Sequence, residues 1–412
     1  MDLSDLAREM EIKAHTMIEG LRIDEEALEG VGTRYLEDIS SVFGYYIEGY
    51  RPGFLYPSDY KLPLGTVTKV AYNTRSPYSV QKEDGTLVLK KDGKFLSTVE
   101  WIDRPEFYNK LTSDGVEMKK VVQIRGECAF IACPSTFCTN WKTGDQCRYC
   151  NIGAAQQVRK GEVATRKKPE QIGEVAQAAL EEGIDFHLIL SGGTIPEKKS
   201  VDIFSECCEA IREYTGLETA PGCINMAAPL DLSEFDRLKE AGALSVGIDL
   251  EVWDEHMFKA ICPGKSKFIG RENWLRAMEY AAKIFGQAYC FSGFVLGLEE
   301  KDHYYEAADY LSERGVFTAL IPWVPLKGSK LEGHRPPCGE WMLEVNQKVM
   351  DIMVEKMPVI LSDKFWDNSP ITCYRCASID LFWDEIRLRR GRKEMVMPKD
   401  RKRKEKETRI GV

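Results

Sequence analysis

The sequence predicts an α/β protein built on a partial, TIM-like (β/α)6 barrel, with an α/β extension before it and a further extension after it. Two observations carry this. Strand and helix patterns alternate from Lys119 to about residue 335, the arrangement that gives parallel strands joined by crossover helices. The cysteines, paired glycines and carboxylates of that stretch also fall just after the strand patterns, and in such barrels chemistry sits where strands end. The expected organisation is an N-terminal extension over 1–118, a barrel over 119–335 and a C-terminal extension over 336–412.

Residues 1–50 read as helical, with Ala7, Met10, Ile12 and Met17 at helical spacing. From 65 to 102 the pattern changes. Val67, Val70 and Tyr72 lie in one apolar run, and Thr86 to Leu89 and Phe95 to Trp101 follow, separated by Asp84-Gly85 and Asp92-Gly93. Asp-Gly between apolar runs signals hairpins. This small β element fits either a cap on the substrate side or a plain extension. Within the barrel, strands are expected at Val121–Ile124, Phe186–Leu190, Gly222–Met226, Ser245–Glu251, Ala288–Leu296 and Phe317–Ile321, the last ended by Pro322. Helices are expected at Pro169–Glu182, Val201–Thr215, Ser233–Gly242 (Gly242 as C-cap), Arg271–Phe285 and Tyr304–Arg314.

The chain has 412 residues, 43% hydrophobic and 29% charged, the balance of an ordinary soluble globular protein. It shows no internal repeat. No apolar run reaches the roughly 18 residues of a membrane span, and the first ten residues lack a signal-peptide layout. A cytoplasmic location follows as the expectation, with anaerobic surroundings suited to so many thiols. In a reducing compartment the 13 cysteines argue for metal ligation or buried packing, not disulfides. The net charge of −9 gives no general pull towards nucleic acid. The exception is the basic run from Arg387 to Arg409, which reads as a solvated tail or as a contact for RNA or an acidic partner.

The most informative feature is the triad Cys138, Cys147 and Cys150, with Tyr149 inside the Cys-x-x-Cys. A structural zinc site would need a fourth ligand, and Cys133 or Cys128 offers one. Three thiolates alone suit a cubane whose fourth iron is left open.

With the strand and Gly-Gly that follow, this motif resembles the radical S-adenosylmethionine (SAM) superfamily. The resemblance covers about 120–335. It implies a [4Fe-4S] cluster on Cys138, Cys147 and Cys150, with SAM chelated at the open iron and cleaved to a 5′-deoxyadenosyl radical. The commonest spacing in that family is Cys-x3-Cys-x2-Cys; here the first gap is eight residues. Cys138 is preferred to Cys133 as first ligand, because Cys133-Pro134 lies nearer the strand end. Three further elements match. Ser191-Gly192-Gly193-Thr194 stands where the family has Gly-Gly-Glu, with Thr194 in place of the acid. Gly293 to Glu300 fits Gly-x-Ile-x-Gly-x-x-Glu, with Val295 as the branched residue and Gly297 as the second glycine. Asp249 and Glu251 end the fourth strand on one face, Glu251 placed to hold the ribose hydroxyls or ammonium of SAM. Tyr149 is expected near the adenine. Pro322 to Leu331 resembles the sixth-strand exit of biotin synthase, which points to the branch of that enzyme and of thiamine tyrosine-lyase.

The resemblance implies a small, cofactor-precursor-like substrate, an electron donor such as ferredoxin or flavodoxin, and no membrane. Radical SAM modification of RNA or protein is the alternative, and a non-catalytic zinc or Fe–S module is a third class. Cys373-Tyr374-Arg375-Cys376, with Cys338 upstream, suggests a second cluster, a zinc site or packed thiols. Cys207 and Cys208 read as packing; Cys223, Cys262 and Cys290 carry no separate signal. Gly264-Lys265-Ser266 looks like the end of a phosphate loop, but Lys259 stands where its first glycine belongs, so that reading is rejected.

Overall fold

Six parallel strands lie side by side in chain order in the computed structural model, which describes residues 3–31, 56–158, 164–368 and 370–391. They are Ala129–Ala132, His187–Leu190, Ala220–Asn225, Ala243–Gly247, Cys290–Leu296 and Val316–Pro322. Parallel neighbours cannot be joined by a tight turn, so the chain returns through helices between them, including Pro169–Glu181, Glu197–Thr215, Glu234–Glu240, Arg271–Phe285 and Lys301–Ser312. The fifth strand is buried along its whole length, as a sheet covered on both faces requires. The sheet runs from Val316–Pro322 at one edge to Val122–Arg125 at the other, so the architecture is the expected partial (β/α)6 barrel.

Two strands differ from expectation. Val122–Arg125 is not the first parallel strand; it pairs antiparallel with Ala129–Ala132, which is. Only Gly126, Glu127 and Cys128 separate the two runs, too few for a crossover but enough for a hairpin, and Gly126 takes the positive φ of 53° that the bend needs. The fourth strand stops at Gly247, short of Glu251. Beyond it the chain leaves the ladder, and Glu251 rejoins through a single bridge to Phe294 with a φ of +75°.

Before the barrel, Leu3–Glu19 is helical as expected, but the helix stops at Gly20, which takes a φ of +69°; Arg22–Ile23 is a short strand beside Tyr78–Glu83 and Glu25–Leu28 a 3-10 turn, and residues 32–50 of that reading lie outside the described residues. Met10, Ala14 and Met17 join the barrel core, while Ile12 joins a second core with Leu21, Tyr60, Val80 and Leu89. Tyr78–Glu83, Thr86–Lys91 and Lys94–Thr98 form the expected hairpins, with Asp84-Gly85 and Asp92-Gly93 all at positive φ, as two-residue turns of this hand demand. After the barrel, Gly339–Lys356 packs on Lys301–Ser312 and on the sixth strand. Residues 370–378 then run beneath the strand starts: Pro370 C=O accepts from Ser245 Oγ, and Arg375 C=O from Glu127 N at 2.9 Å. Phe382, Trp383 and Ile386 of the helix Phe382–Arg389 complete the barrel core. The basic run begins on that helix as paired arginines: Arg387 stacks on Tyr374, and Arg389 binds Asp351 and Glu385. From 392 onward it lies outside the described residues. No helix among the described residues is long and apolar enough to cross a membrane.

Candidate active site

The loop leaving the first parallel strand carries the cysteines, and the segments after the second, fourth and sixth strands bond to it. Cys138 is the N-cap of a short helix, Thr139–Thr143, which Gly144 ends with a φ of +80°. Cys147 and Cys150 follow, and all three cysteines are half-buried and unbridged. The Cys150 thiol feels both Cys147 and Cys138, and burial first, then the Cys147 charge, pushes it up to about 12. Cys147 is held below its ordinary value by the adjoining Cys262 thiol, with Lys265 adding to the effect. A lowered thiol favours the thiolate that a metal needs. Cys133 behaves differently. It is 2% exposed, burial pushes it up to about 11, and its carbonyl is held by Lys167 Nζ at 2.8 Å.

The glycines after the second strand are there because the cysteine loop passes against them. A Cβ on Gly193 would stand 2.4 Å from Phe137 O and 2.6 Å from Cys138 Cβ, and one on Gly192 would stand 2.6 Å from Ser135 O. Thr194 contributes its carbonyl, which accepts from Thr139 N at 2.8 Å and Thr139 Oγ1 at 3.0 Å. On the other side Gly264 N donates to Asp145 O at 3.0 Å, and Arg148 N to Ile261 O at 2.9 Å. The exit of the sixth strand closes the ring: Leu331 N donates to Arg148 O at 3.2 Å, and Asn151 Nδ2 to Lys327 O at 3.3 Å. The Trp141 ring lies so close to Gly153 that any side chain there would collide with it. The loop is thus held in place on three sides.

Asp249 and Glu251 meet Lys265, which in the sequence stands only at the end of the rejected phosphate-loop pattern. Lys265 Nζ bonds Glu251 Oε1 at 2.7 Å and Asp249 O at 2.5 Å, and sits 4.7 Å above the Trp274 ring. Burial works against the Lys265 charge, but Glu251 and the thiols of Cys147 and Cys262 outweigh it and raise its affinity for the proton. Asp249 turns to the fifth strand, where Oδ1 accepts from Gly293 N at 2.8 Å; a Cβ on Gly293 would stand 2.7 Å from that oxygen. Burial, then repulsion from Glu251, pushes Asp249 up to about 6. Glu251 N donates to Gly293 O at 2.9 Å and Val295 N to Glu251 O at 3.0 Å, so the fifth strand fixes the Glu251 backbone. Val295 is buried, and Gly297, with a φ of +113°, packs on Pro337 and donates to Tyr304 OH at 2.9 Å. The buried acid of this motif is Glu299, which caps Trp253 N and Asp254 N, each at 2.7 Å, while Glu300 is exposed. Tyr149 feels Cys147, Glu251, Cys262 and Cys150, and burial, then those charges, pushes its hydroxyl well up.

The residues present fit a cluster and a zwitterionic ligand. Three free thiols share one loop, and an ion pair beside them offers a carboxylate to an ammonium and an ammonium to a carboxylate. The Cys373–Cys376 pair is not part of this arrangement: residues 370–378 run beneath the strand starts, the opposite end of the sheet.

Residues 134–311 match the radical SAM superfamily. A bacteriochlorophyllide c C-7(1)-hydroxylase from Chlorobaculum limnaeum is 30% identical over 232 residues, 53% of this chain. The chain spans 58% of the length of that relative. Among solved structures, methylornithine synthase is 20% identical with a TM-score of 0.43, covering 56% of this chain and 64% of its own. The FeFe-hydrogenase maturase HydG from Carboxydothermus hydrogenoformans is 21% identical with a TM-score of 0.43, covering 58% of this chain and 54% of its own. The radical SAM match therefore falls on the barrel, from the loop that carries Cys138, Cys147 and Cys150 to the helix Lys301–Ser312.

Proposed function

We propose that this protein is a radical SAM enzyme acting on a small, cofactor-type molecule. The observation that carries the reading is the cysteine loop: three free thiols, braced by Gly193 and Gly264, facing the Glu251–Lys265 pair at the mouth of the barrel. Cys138, Cys147 and Cys150 would hold a [4Fe-4S] cluster. When bound, the cluster and SAM together supply a 5′-deoxyadenosyl radical, which takes hydrogen from the substrate. The chain's own residues bind and orient. Glu251 suits the ammonium or ribose hydroxyls of SAM, Lys265 its carboxylate, and the backbone of Val295 and Gly297 its flat base. Tyr149 walls the same space. A donor such as ferredoxin or flavodoxin would deliver the electron.

The relative named for a bacteriochlorophyllide supports a substrate with a large apolar face. So does the rim: Phe137, Leu230 and Phe268 are 44%, 60% and 49% exposed, and Phe268 borders a cavity of about 220 Å3 that Thr139, Thr194 and Met226 also line.

The test is anaerobic purification followed by iron and sulfide counts, then dithionite and SAM with 5′-deoxyadenosine as the readout. Sulfide-bearing iron of about four per chain, lost in the triple variant Cys138→Ala/Cys147→Ala/Cys150→Ala and kept in Cys133→Ala, is the expected result. Protein free of sulfide that yields no 5′-deoxyadenosine would exclude radical chemistry.

A further inference from the structure

At the opposite end of the barrel from the cysteine loop, four buried ligand-type side chains converge: Cys128, His187, Cys373 and Cys376. Their ligand atoms all lie within 4.8 Å of one another. The Sγ of Cys373 is 3.6 Å from those of Cys128 and Cys376, and His187 Nδ1 is 3.7 Å from both Cys128 Sγ and Cys376 Sγ. We propose that these four residues form a structural, tetrahedral zinc site that ties the C-terminal segment to the starts of the first two barrel strands.

The spacing is that of ligands on one ion. With Zn–S near 2.3 Å and Zn–N near 2.0 Å, tetrahedral angles put ligand atoms about 3.5–3.8 Å apart. In a cubane each thiolate caps a different iron, so its ligand sulfurs stand farther apart, across the cube. The set is also closed. The four residues are 2%, 1%, 0% and 3% exposed, which leaves no open coordination position, as in structural rather than catalytic zinc sites. Exposed Cys338 is not among them. Without an ion the arrangement is poorly satisfied: a buried imidazole meets only thiol sulfurs at Nδ1, weak partners for a hydrogen bond.

The backbone around the set is shaped to hold it. Cys373 N points at Cys376 Sγ at 3.2 Å, and Cys376 N and Ala377 N both donate to Cys373 O, at 3.0 and 2.9 Å, closing a tight knuckle. Gly126, just before Cys128, lies under that knuckle, where a Cβ would stand 2.6 Å from Arg375 O and 2.7 Å from Cys376 Cα. Binding Zn2+ would release three thiol protons to water and form three Zn–S bonds and one Zn–N bond, with no change of oxidation state. The resulting net charge of −1 faces Arg375, which is held beside the thiols by Glu127 at 2.6 Å.

The experiment uses the whole chain, made without oxygen in zinc-sufficient medium. Elemental analysis should find one zinc per chain in addition to any iron, and zinc-edge X-ray absorption should show three sulfurs at about 2.3 Å and one nitrogen at about 2.0 Å. Cys373→Ser/Cys376→Ser should lose the zinc and keep the iron, while the Cys138/Cys147/Cys150 triple-alanine variant should do the reverse. His187→Cys, which keeps four ligands, should keep zinc even if the double variant fails to fold. Wild-type protein without zinc overturns the proposal. So does iron of about eight per chain that falls by about four in the double variant, which would make the site a second cluster.

Discussion

Glu251 holds its carboxylate against Lys265 from a backbone conformation that side chains rarely adopt, at a cost of order 1–3 kcal/mol that two hydrogen bonds to the fifth strand offset. Such outliers gather where a side chain must be aimed. Glu251→Gln keeps the shape and removes the charge. With charge-assisted bonds worth about 1.5–3 kcal/mol, SAM affinity should fall by about 10- to 150-fold while iron content stays at the wild-type level. Calorimetric titration of SAM into the reconstituted protein measures it, and unchanged affinity would turn the carboxylate towards the substrate. At this scale the sequence was only half legible. Glu251 stood out as an acid ending an apolar strand. Lys265 stood out only in a rejected phosphate-loop pattern and not as the partner of Glu251, because the two lie 14 residues apart across a loop and a helix, a separation with no periodic signal. Cys128 was legible only as a spare ligand for the wrong trio, and its meeting with His187 was hidden: they are 59 residues apart, and Cys128 meets Cys373 across 245, distances that only the fold brings together.

The loops and strands were more legible, because periodicity and turn chemistry act locally. The hairpins at Asp84-Gly85 and Asp92-Gly93 and the helix Arg271–Phe285 follow from their residues alone. The first barrel strand was misplaced for a physical reason. Val121–Ile124 and Ala129–Ala132 are both short apolar runs, and direction in a sheet is set by the length of the connection, not by the strand's own pattern. Gly193 shows an element acting through its neighbour, since its missing side chain is the space into which Cys138 fits. Gly193→Ala needs a shift where Cβ would stand 2.6 Å from Cys138 Cβ, so the cysteine loop must move as a unit. The expected outcome is that the variant keeps its thermal stability to within about 1–3 kcal/mol, the usual cost of overpacking, yet takes up several-fold less iron and sulfide on reconstitution. Full loading with an unchanged cluster spectrum would show that the loop yields without consequence.

Across the whole molecule, the first helix is locked to the last described one by a buried charge. Lys13 Nζ meets Asp384 Oδ2 at 2.5 Å, both side chains fully buried, and also bonds Ala377 O. Asp380 shares this one cation with Asp384; burial first, and then the Asp384 charge, outweighs the pull of Lys13 and pushes Asp380 up to about 7. Its folded value therefore lies above the 3.8 of the unfolded chain, so the native state binds this proton more tightly. Stability from this group is fully present below about pH 4 and is lost as pH rises to about 7. Asp380→Asn mimics the protonated form. It should leave stability unchanged near pH 4 and raise it by on the order of 2 kcal/mol at pH 8, read from denaturant midpoints at the two pH values. A loss of stability at pH 8 would mean that the ionised carboxylate is needed. The Lys13–Asp384 pair also sets a clock on biosynthesis. The two residues are 371 positions apart, so at about 5–20 residues per second the ribosome adds Asp384 roughly 20–70 s after Lys13. For most of that interval the first helix lacks Gly339–Lys356, and for all of it the completed helix Phe382–Arg389, two of the elements it packs against. A finished chain cut short before residue 384 therefore leaves the buried Lys13 ammonium without the Asp384 carboxylate that faces it, and one read through to the helix end does not.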